Sequence, residues 1–173
     1  MIHHWSRDSL VRPRTGIEVG NNASFISNYL SLHPVKDVQM YPIAYCNGVN
    51  SRAEFNSIIF ADKGSNVDIG SQVILNGKNS SANIISRSIS KGNSNVIARG
   101  RLVANNPECK GHLECLGLLL GGDTKMSAIP ELSATVEGAE LSHEAAVGKV
   151  ADKEIFYLMT RGLSENEAIS VII

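Results

Sequence analysis

An all-β body followed by two short helices is the fold this sequence predicts, and among all-β forms a β-solenoid of stacked coils fits best. Three observations carry that expectation. Short apolar bursts recur from Ile17 to His143 with no helical stretch between them long enough for a βαβ crossover. Gly, Asn and Pro clusters punctuate the bursts. Aromatic residues are only 5% of the chain, too few for a conventional sandwich core, whereas small residues suit tight corners between coils. Asn-Gly at 47–48 and 76–77 is a hairpin signal, so an antiparallel sandwich and an up-and-down barrel remain alternatives. No strict internal repeat is visible.

Residues 1–16 have no clear period, and Arg12-Pro13-Arg14 argues against a regular element there. Early bursts at Ile17–Val19, Ala23–Ile26 and Val38–Met40 are separated by the loop at His33-Pro34. After Asn47-Gly48 they become dense: Phe55–Phe60, Val67–Ile69, Val73–Leu75, Ile84–Ile89, Val96–Ala98, Leu102–Ala104, Leu113–Leu120, Ile129–Val136 and Ala139–His143. The solenoid body is therefore placed at 17–148. From Asp152 the period turns helical. Ile155, Phe156, Leu158 and Met159 make one stripe, Asp152 is the expected N-cap, and Gly162 the expected C′ residue. Ser164 and Glu167 form a capping box for a second helix carrying Ala168, Ile169, Ile172 and Ile173. The helical segment 149–173 is expected either to dock a partner or to cap the open end of the solenoid.

Sixteen basic residues stand against 17 acidic ones without a charge run, which disfavours nucleic-acid and membrane-surface partners. Met1 to Trp5 contains no basic-then-apolar leader, and the three cysteines form no CxxC pair. Both features lead to the expectation of a cytoplasmic protein. There is no P-loop, GxGxxG fingerprint or GxSxG elbow. Any ATP dependence must then come from a partner.

Alternation places Cys115 on the same strand face as Leu113, which reads as a buried core position. Cys109 lies in the polar turn Pro107-Glu108-Cys109-Lys110-Gly111 and is expected to be exposed there. Cys46, beside Asn47-Gly48, carries no functional signal. His143 and Glu144 adjoin one another at the end of the strand-rich region, where imidazole and carboxylate together can hold a metal. Neighbours on a regular strand face opposite ways, so joint use of this pair requires a bulge or a strand end. His3, His4, His33 and His112 have no ligand spacing.

Several blocks, in order, resemble the SufB/SufD family of iron–sulfur cluster assembly scaffolds. Asn50-Ser51-Arg52-Ala53-Glu54-Phe55 resembles the N-S-R-x-E-F segment of SufB. Gly77-Lys78-Asn79 followed by Ile84-Ile85-Ser86-Arg87-Ser88-Ile89-Ser90-Lys91-Gly92 is similar to its G-K-N-T…I-I-S-K-x-I-S-x-G run. Cys115-Leu116-Gly117-Leu118-Leu119-Leu120-Gly121 resembles C-D-S-L-L-I-G, and His143-Glu144-Ala145 with Lys149 resembles the H-E-A-x-x-x-K block. The stretch from Phe156-Tyr157 through Arg161-Gly162-Leu163 to Ala168 is similar to the specific F-Y-x-x-x-R-G-I/L-x-x-x-x-A signature.

The resemblance implies a right-handed parallel β-helix with C-terminal helices that dock the ABC-type ATPase SufC. It implies a non-enzymatic scaffold on which a transient iron–sulfur cluster is built with help from a sulfur donor system, in a dimer with itself or a SufB/SufD partner. ATP would enter only through SufC, and the flavin of the family complex cannot be placed on this chain. By the same resemblance Cys115, His143 and Glu144 are the candidate cluster and metal ligands. Glu144 and Cys115 follow SufB, since SufD usually has glycine at the first position and lacks the cysteine. The chain departs from the family in being shorter and in carrying Ser142 before His143 where SufB commonly has an acidic residue. Two alternatives follow: a SufD-like partner that holds no cluster, and a β-helix enzyme acting on polysaccharide through Glu131, Glu137 and Glu140. The second lacks the surface aromatics that stack on sugars, since Trp5 is the chain's one tryptophan.

Overall fold

The computed structural model describes residues 5–121 and 123–172, so His3, His4 and Ile173 lie outside the described residues. The chain winds through about five coils, each with one pass on either of two facing sheets. On the first sheet run β1 (Leu10–Val11), β2 (Gly16–Val19), β4 (Asp37–Met40), β5 (Ile43–Cys46), β7 (Asn66–Leu75), β9 (Asn95–Ala104) and β11 (Lys125–Ala134). The second sheet has β3 (Ser24–Ser31), β6 (Arg52–Ala61), β8 (Ser81–Lys91), β10 (Lys110–Leu120) and β12 (Glu140–Lys149), stacked in that order. Every pairing is parallel. The solenoid expectation therefore holds, and the sandwich and barrel alternatives fall with their antiparallel pairs.

The strands are longer than the bursts that announced them. Val67–Ile69 and Val73–Leu75 belong to one strand, β7, joined through Gly70 and Ser71. The same is true of Val96–Ala98 and Leu102–Ala104 in β9, joined through Gly100. Within the segment read as irregular, Leu10–Val11 pairs with β4 before Arg12-Pro13 stops it.

Asn47-Gly48 and Asn76-Gly77 are corners between coils and not hairpins. The left-handed residues there are Asn50 and Asn79, at φ 56° and 54°. The glycines serve a different need. A Cβ on Gly77 would overlap the Gly48 carbonyl oxygen, and one on Gly48 would overlap the backbone of Gly20 and Asn21. Glycine is required because successive coils touch backbone to backbone at this corner.

Polar ladders run up the corners alongside the sheets. Asn105 Nδ2 donates to Asn76 Oδ1 at 2.8 Å, Asn76 Nδ2 to Asn47 Oδ1 at 2.7 Å, and Asn47 Nδ2 to Glu18 Oε1 at 3.1 Å. A second ladder joins Asn79, Asn50 and Asn22, and a third joins Asn95, Asn66 and Asp37. Each step spans one coil and each donor points toward the start of the chain. These bonds pin the register coil by coil.

The two helices close the described chain. Helix α1 (Asp152–Thr160) has Ala151 in the N-cap position with no side-chain cap, so Asp152 is its first helical residue rather than its cap. Its C-terminus ends as expected. Gly162 sits at φ 95°, its N–H bonds the Met159 carbonyl, and the Leu163 N–H reaches the Leu158 carbonyl. Helix α2 (Glu165–Ile172) opens with the expected capping box. The Ser164 N–H donates to Glu167 Oε2 at 2.8 Å and the Glu167 N–H to Ser164 Oγ at 3.4 Å. The Ser164 hydroxyl also donates to Glu167 Oε2 at 2.7 Å, and this bond first, the Ser164 N–H second, lowers the Glu167 pKa. No helix among the described residues is long and apolar enough to cross a membrane.

Backbone contact at the corners makes a testable contrast between glycines. Gly77→Ala should lower unfolding stability by about 3 kcal/mol, the upper range for forced overpacking. Gly20→Ala has nothing within 4 Å of the added Cβ and should stay within about 0.5 kcal/mol of the parent. Urea unfolding of both variants reads the difference; equal costs would mean that the coils do not meet where the register places them.

Candidate functional site

Strands β10 and β12 carry the three residues singled out by the sequence. In their parallel register Leu113 lies opposite His143, Glu114 opposite Glu144, and Cys115 opposite Ala145. Leu113 and Cys115 are inward, 0% and 1% exposed, as alternation predicts. Leu141 packs against the same core, so its same-face neighbours His143, Ala145 and Val147 also point to the interior side of β12. Cys115 and His143 thus share one face of adjacent strands, offset by two positions. Strand spacing and rise put their Cα atoms roughly 8 Å apart.

Nothing described in this chain stacks beyond β12. His143 is exposed although it faces the interior side, and Val147 is 42% exposed. Helices α1 and α2 do not close this end. They leave the inward face of the last coil open, which removes the capping alternative.

Glu144 goes the other way. Strand β12 runs from Glu140 to Lys149 in unbroken register with β10, without the bulge that joint use of His143 and Glu144 would need. Glu144 therefore stands on the outer face, directly across from Glu114, which ion-pairs with Arg87 at 3.3 Å. Also outside, His112 Nδ1 lies 2.9 Å from Ser142 Oγ, and Lys110 Nζ donates to Glu140 at 3.0 Å. Among the described residues no group of three or more His, Cys, Asp and Glu side chains is placed to hold a metal ion.

The other thiols are structural. Cys109 is fully buried, which corrects the expectation of an exposed loop thiol. It occupies the inward corner position held by Ser80 and Ser51 one and two coils earlier, and its S–H is shared between the Leu75 and Gly77 carbonyls. Cys46 is buried nearby. Burial raises its thiol pKa, a hydrogen bond with Ser51 opposes the rise, and Cys109 adds to it. For Cys115 burial is the main cause of a raised pKa, with the Glu114 carboxylate second. Cys115 is thus a neutral thiol in the folded chain until a metal or another cation replaces its proton.

Sequence reasoning missed the contact that orders the helical signature. Arg161 lies 5.1 Å over the Tyr157 ring and donates to its hydroxyl at 3.1 Å, one helical turn away. The spacing of Tyr157 and Arg161 in the signature was the available signal. Phe156 and Tyr157 remain 67% and 56% exposed, and Phe156 lines a shallow apolar groove with Ile155 and Met159, rimmed by Lys153 and Glu165.

The raised thiols give stability a pH dependence. Protonated Cys46 and Cys115 contribute stability that is complete below the unfolded thiol range, about pH 8.5, and is lost as pH rises through their raised folded values. Unfolding stability of the parent should therefore fall between pH 8 and 10 more steeply than that of Cys46→Ser/Cys115→Ser (pH values are approximate). Denaturant titration across that range checks it, and parallel curves would refute it.

Comparison with known proteins agrees with this geometry. The model of the SufBD core domain, described as SUF system FeS cluster assembly, matches residues 1–173. A protein of Archaeoglobus fulgidus named as an iron–sulfur cluster assembly SufBD family protein is 56% identical over the whole chain, which covers 46% of that relative. One from Methanothermobacter thermautotrophicus is 51% identical, with 42% of the relative covered, and one from Staphylococcus epidermidis is 34% identical, with 37% covered. The chain spans less than half the length of these relatives. With its parallel coils, its inward Cys115 and its helical signature, the chain belongs to the SufBD family of iron–sulfur cluster assembly proteins.

Proposed function

We propose that this chain is a non-enzymatic scaffold on which a nascent iron–sulfur cluster is held before transfer. The single observation that supports it best is the placement of Cys115 and His143 on one face of adjacent strands at an uncovered coil end. A thiolate and an imidazole so placed suit iron and sulfide; His143 is exposed, and Cys115, buried beneath the last coil, is reached when that coil moves. Sulfide from a donor system and a second chain supply the remaining ligands. Glu144, on the outer face of β12, is kept in the site as a carboxylate acting at the strand edge where that second chain sits. It is not a third ligand from within the lumen.

In this reading the open edge of β12 pairs with another copy or with a sister subunit. The helix pair docks an ABC-type ATPase of the SufC kind through Phe156, Tyr157 and the groove beside them. Nucleotide-driven movement of that ATPase would open and close the cluster site across the subunit boundary. The protein acts in the cytoplasm, takes ATP only through its partner, and has no assigned flavin. A silent, SufD-like partner is the second reading; it is less favoured because Cys115 and Glu144 are both present.

Anaerobic reconstitution with iron and sulfide should give a visible charge-transfer absorption. Cys115→Ser should lose most of it and His143→Ala part, with Glu144→Gln changing it least. A spectrum unchanged in Cys115→Ser, or no chromophore in the parent, would refute the cluster-holding role. Separately, Phe156→Asp should abolish co-purification with the ATPase while leaving the circular dichroism of the body unaltered. Retained binding would move the docking site elsewhere.

A further inference from the structure

The chain contains two Asn-Gly pairs, Asn47-Gly48 and Asn76-Gly77. In a flexible chain such a pair is chemically unstable. The glycine nitrogen, unhindered by a side chain, gives its proton to solvent and attacks the asparagine Cγ. A C–N bond closes a succinimide ring, the side-chain nitrogen leaves as ammonia, and water reopens the ring to aspartate or isoaspartate. Neither product fits this corner. Isoaspartate carries its Cβ into the backbone where Gly77 already touches the Gly48 carbonyl. Aspartate has no N–H, so at position 76 it would turn an oxygen toward Asn47 Oδ1.

The structure holds the reacting groups apart. The Asn76 amide is bonded at both ends, donating to Asn47 Oδ1 at 2.7 Å and accepting from Asn105 Nδ2 at 2.8 Å. Asn47 is held in the same way between Asn76 and Glu18. The attacking nitrogens are engaged as well. Gly77 N–H donates to the Cys46 carbonyl at 2.9 Å and Gly48 N–H to the Val19 carbonyl at 3.0 Å, so each proton the reaction must remove points into the preceding coil. Glycine's conformational freedom, which swings its nitrogen toward Cγ in a loose chain, is lost where the coils touch.

The carboxylate at the foot of the ladder fixes the direction of every amide above it. Glu18 can only accept, so Asn47 presents Nδ2 to it and Oδ1 to Asn76, and Asn76 repeats the arrangement toward Asn105. The ladder of Asn95 and Asn66 ends on Asp37 in the same sense. In both ladders the acidic group stands at the accepting end, where it costs no hydrogen bond.

We propose that this ladder protects Asn47 and Asn76 from deamidation by holding each side-chain amide away from the glycine nitrogen that would attack it. At Asn76 three hydrogen bonds must open before the ring can close, and at about fivefold each they slow the reaction roughly 100-fold. What the ladder preserves is the corner itself, and with it the stacking of the coils. The inference is independent of the iron–sulfur reading: a chain that holds no cluster would be protected equally.

The test incubates the chain in neutral buffer, folded and in parallel unfolded in urea, and follows conversion of Asn76 by peptide mass spectrometry. Conversion should be roughly 100-fold slower in the folded chain. Asn47→Ala/Asn105→Ala removes both side-chain partners of Asn76 and should speed its conversion about 25-fold while circular dichroism shows the body folded. Asn66→Ala breaks two bonds of the other ladder and should leave Asn76 as slow as in the parent. If the double variant does not fold, Asn105→Ala alone should give about a fivefold acceleration. Conversion in the folded parent at the unfolded rate overturns the proposal, and so does an unchanged rate in the folded ladder variant. Equal acceleration in Asn66→Ala overturns it too, because protection would then come from overall stability and not from this ladder.

Discussion

The position of every side chain in the body follows from coils stacked in parallel register, with their backbones in contact at one corner. Where Gly77 rests on Gly48, and Gly48 on the turn at Gly20 and Asn21, no side chain can intervene. That closeness brings Asn76 within 2.7 Å of Asn47, and Asn105 within 2.8 Å of Asn76. A slip of one residue would break these bonds and send each inward side chain outward. Ladder and sheet therefore specify the same register twice, once outside and once inside. The face on which Cys115 and His143 meet is a consequence of it.

Much of this was legible in the sequence, and the parts that were not have identifiable causes. The alternating bursts and corner residues pointed to stacked coils, and alternation alone placed Cys115 beside Leu113 inside. The repeat escaped notice because only the corner is constrained. Asn47-Gly48-Val49-Asn50-Ser51 returns as Asn76-Gly77-Lys78-Asn79-Ser80, then in altered form as Asn105-Asn106-Pro107-Glu108-Cys109, one coil of 29 residues apart. The strands between vary freely, since a lumen accepts many fillings of similar volume. The same corner explains two misreadings. Asn-Gly suggested a hairpin because the dipeptide is usually chosen for φ, whereas here glycine is chosen for close approach. Cys109 looked exposed because its neighbours are polar, whereas it takes the inward place of Ser51 and Ser80.

At the candidate site the limit of sequence reasoning was sidedness. His143 and Glu144 are adjacent in the chain and invite a shared role, but a regular strand separates them by the thickness of the sheet. Family resemblance named all three residues without saying which way each one points. The register supplies that: Cys115 and His143 belong to the lumen, and Glu144 belongs to the outer surface with Glu114. A carboxylate directly across from another is unfavourable on an isolated sheet, and Arg87 offsets the charge of Glu114 alone. In the scaffold reading proposed above, Glu144 is the carboxylate that faces a second chain.

The open end is the last link between fold and function. A ten-residue parallel strand with a free edge is an aggregation hazard, and natural sheets blunt such edges with proline, bulges or short strands. Strand β12 has none of these, and only the charges of Glu140, Glu144 and Lys149 guard it. It presents Leu141 and Val147 on the side that β6, β8 and β10 bury, and its backbone groups along the free edge have no partner strand among the described residues. Such an edge costs stability unless something covers it, and what covers it must also cover His143 and the approach to Cys115. The scaffold reading thus makes site and interface the same surface. In the scaffold reading proposed above, a group held there would be enclosed when the edge is paired and released when the pairing opens.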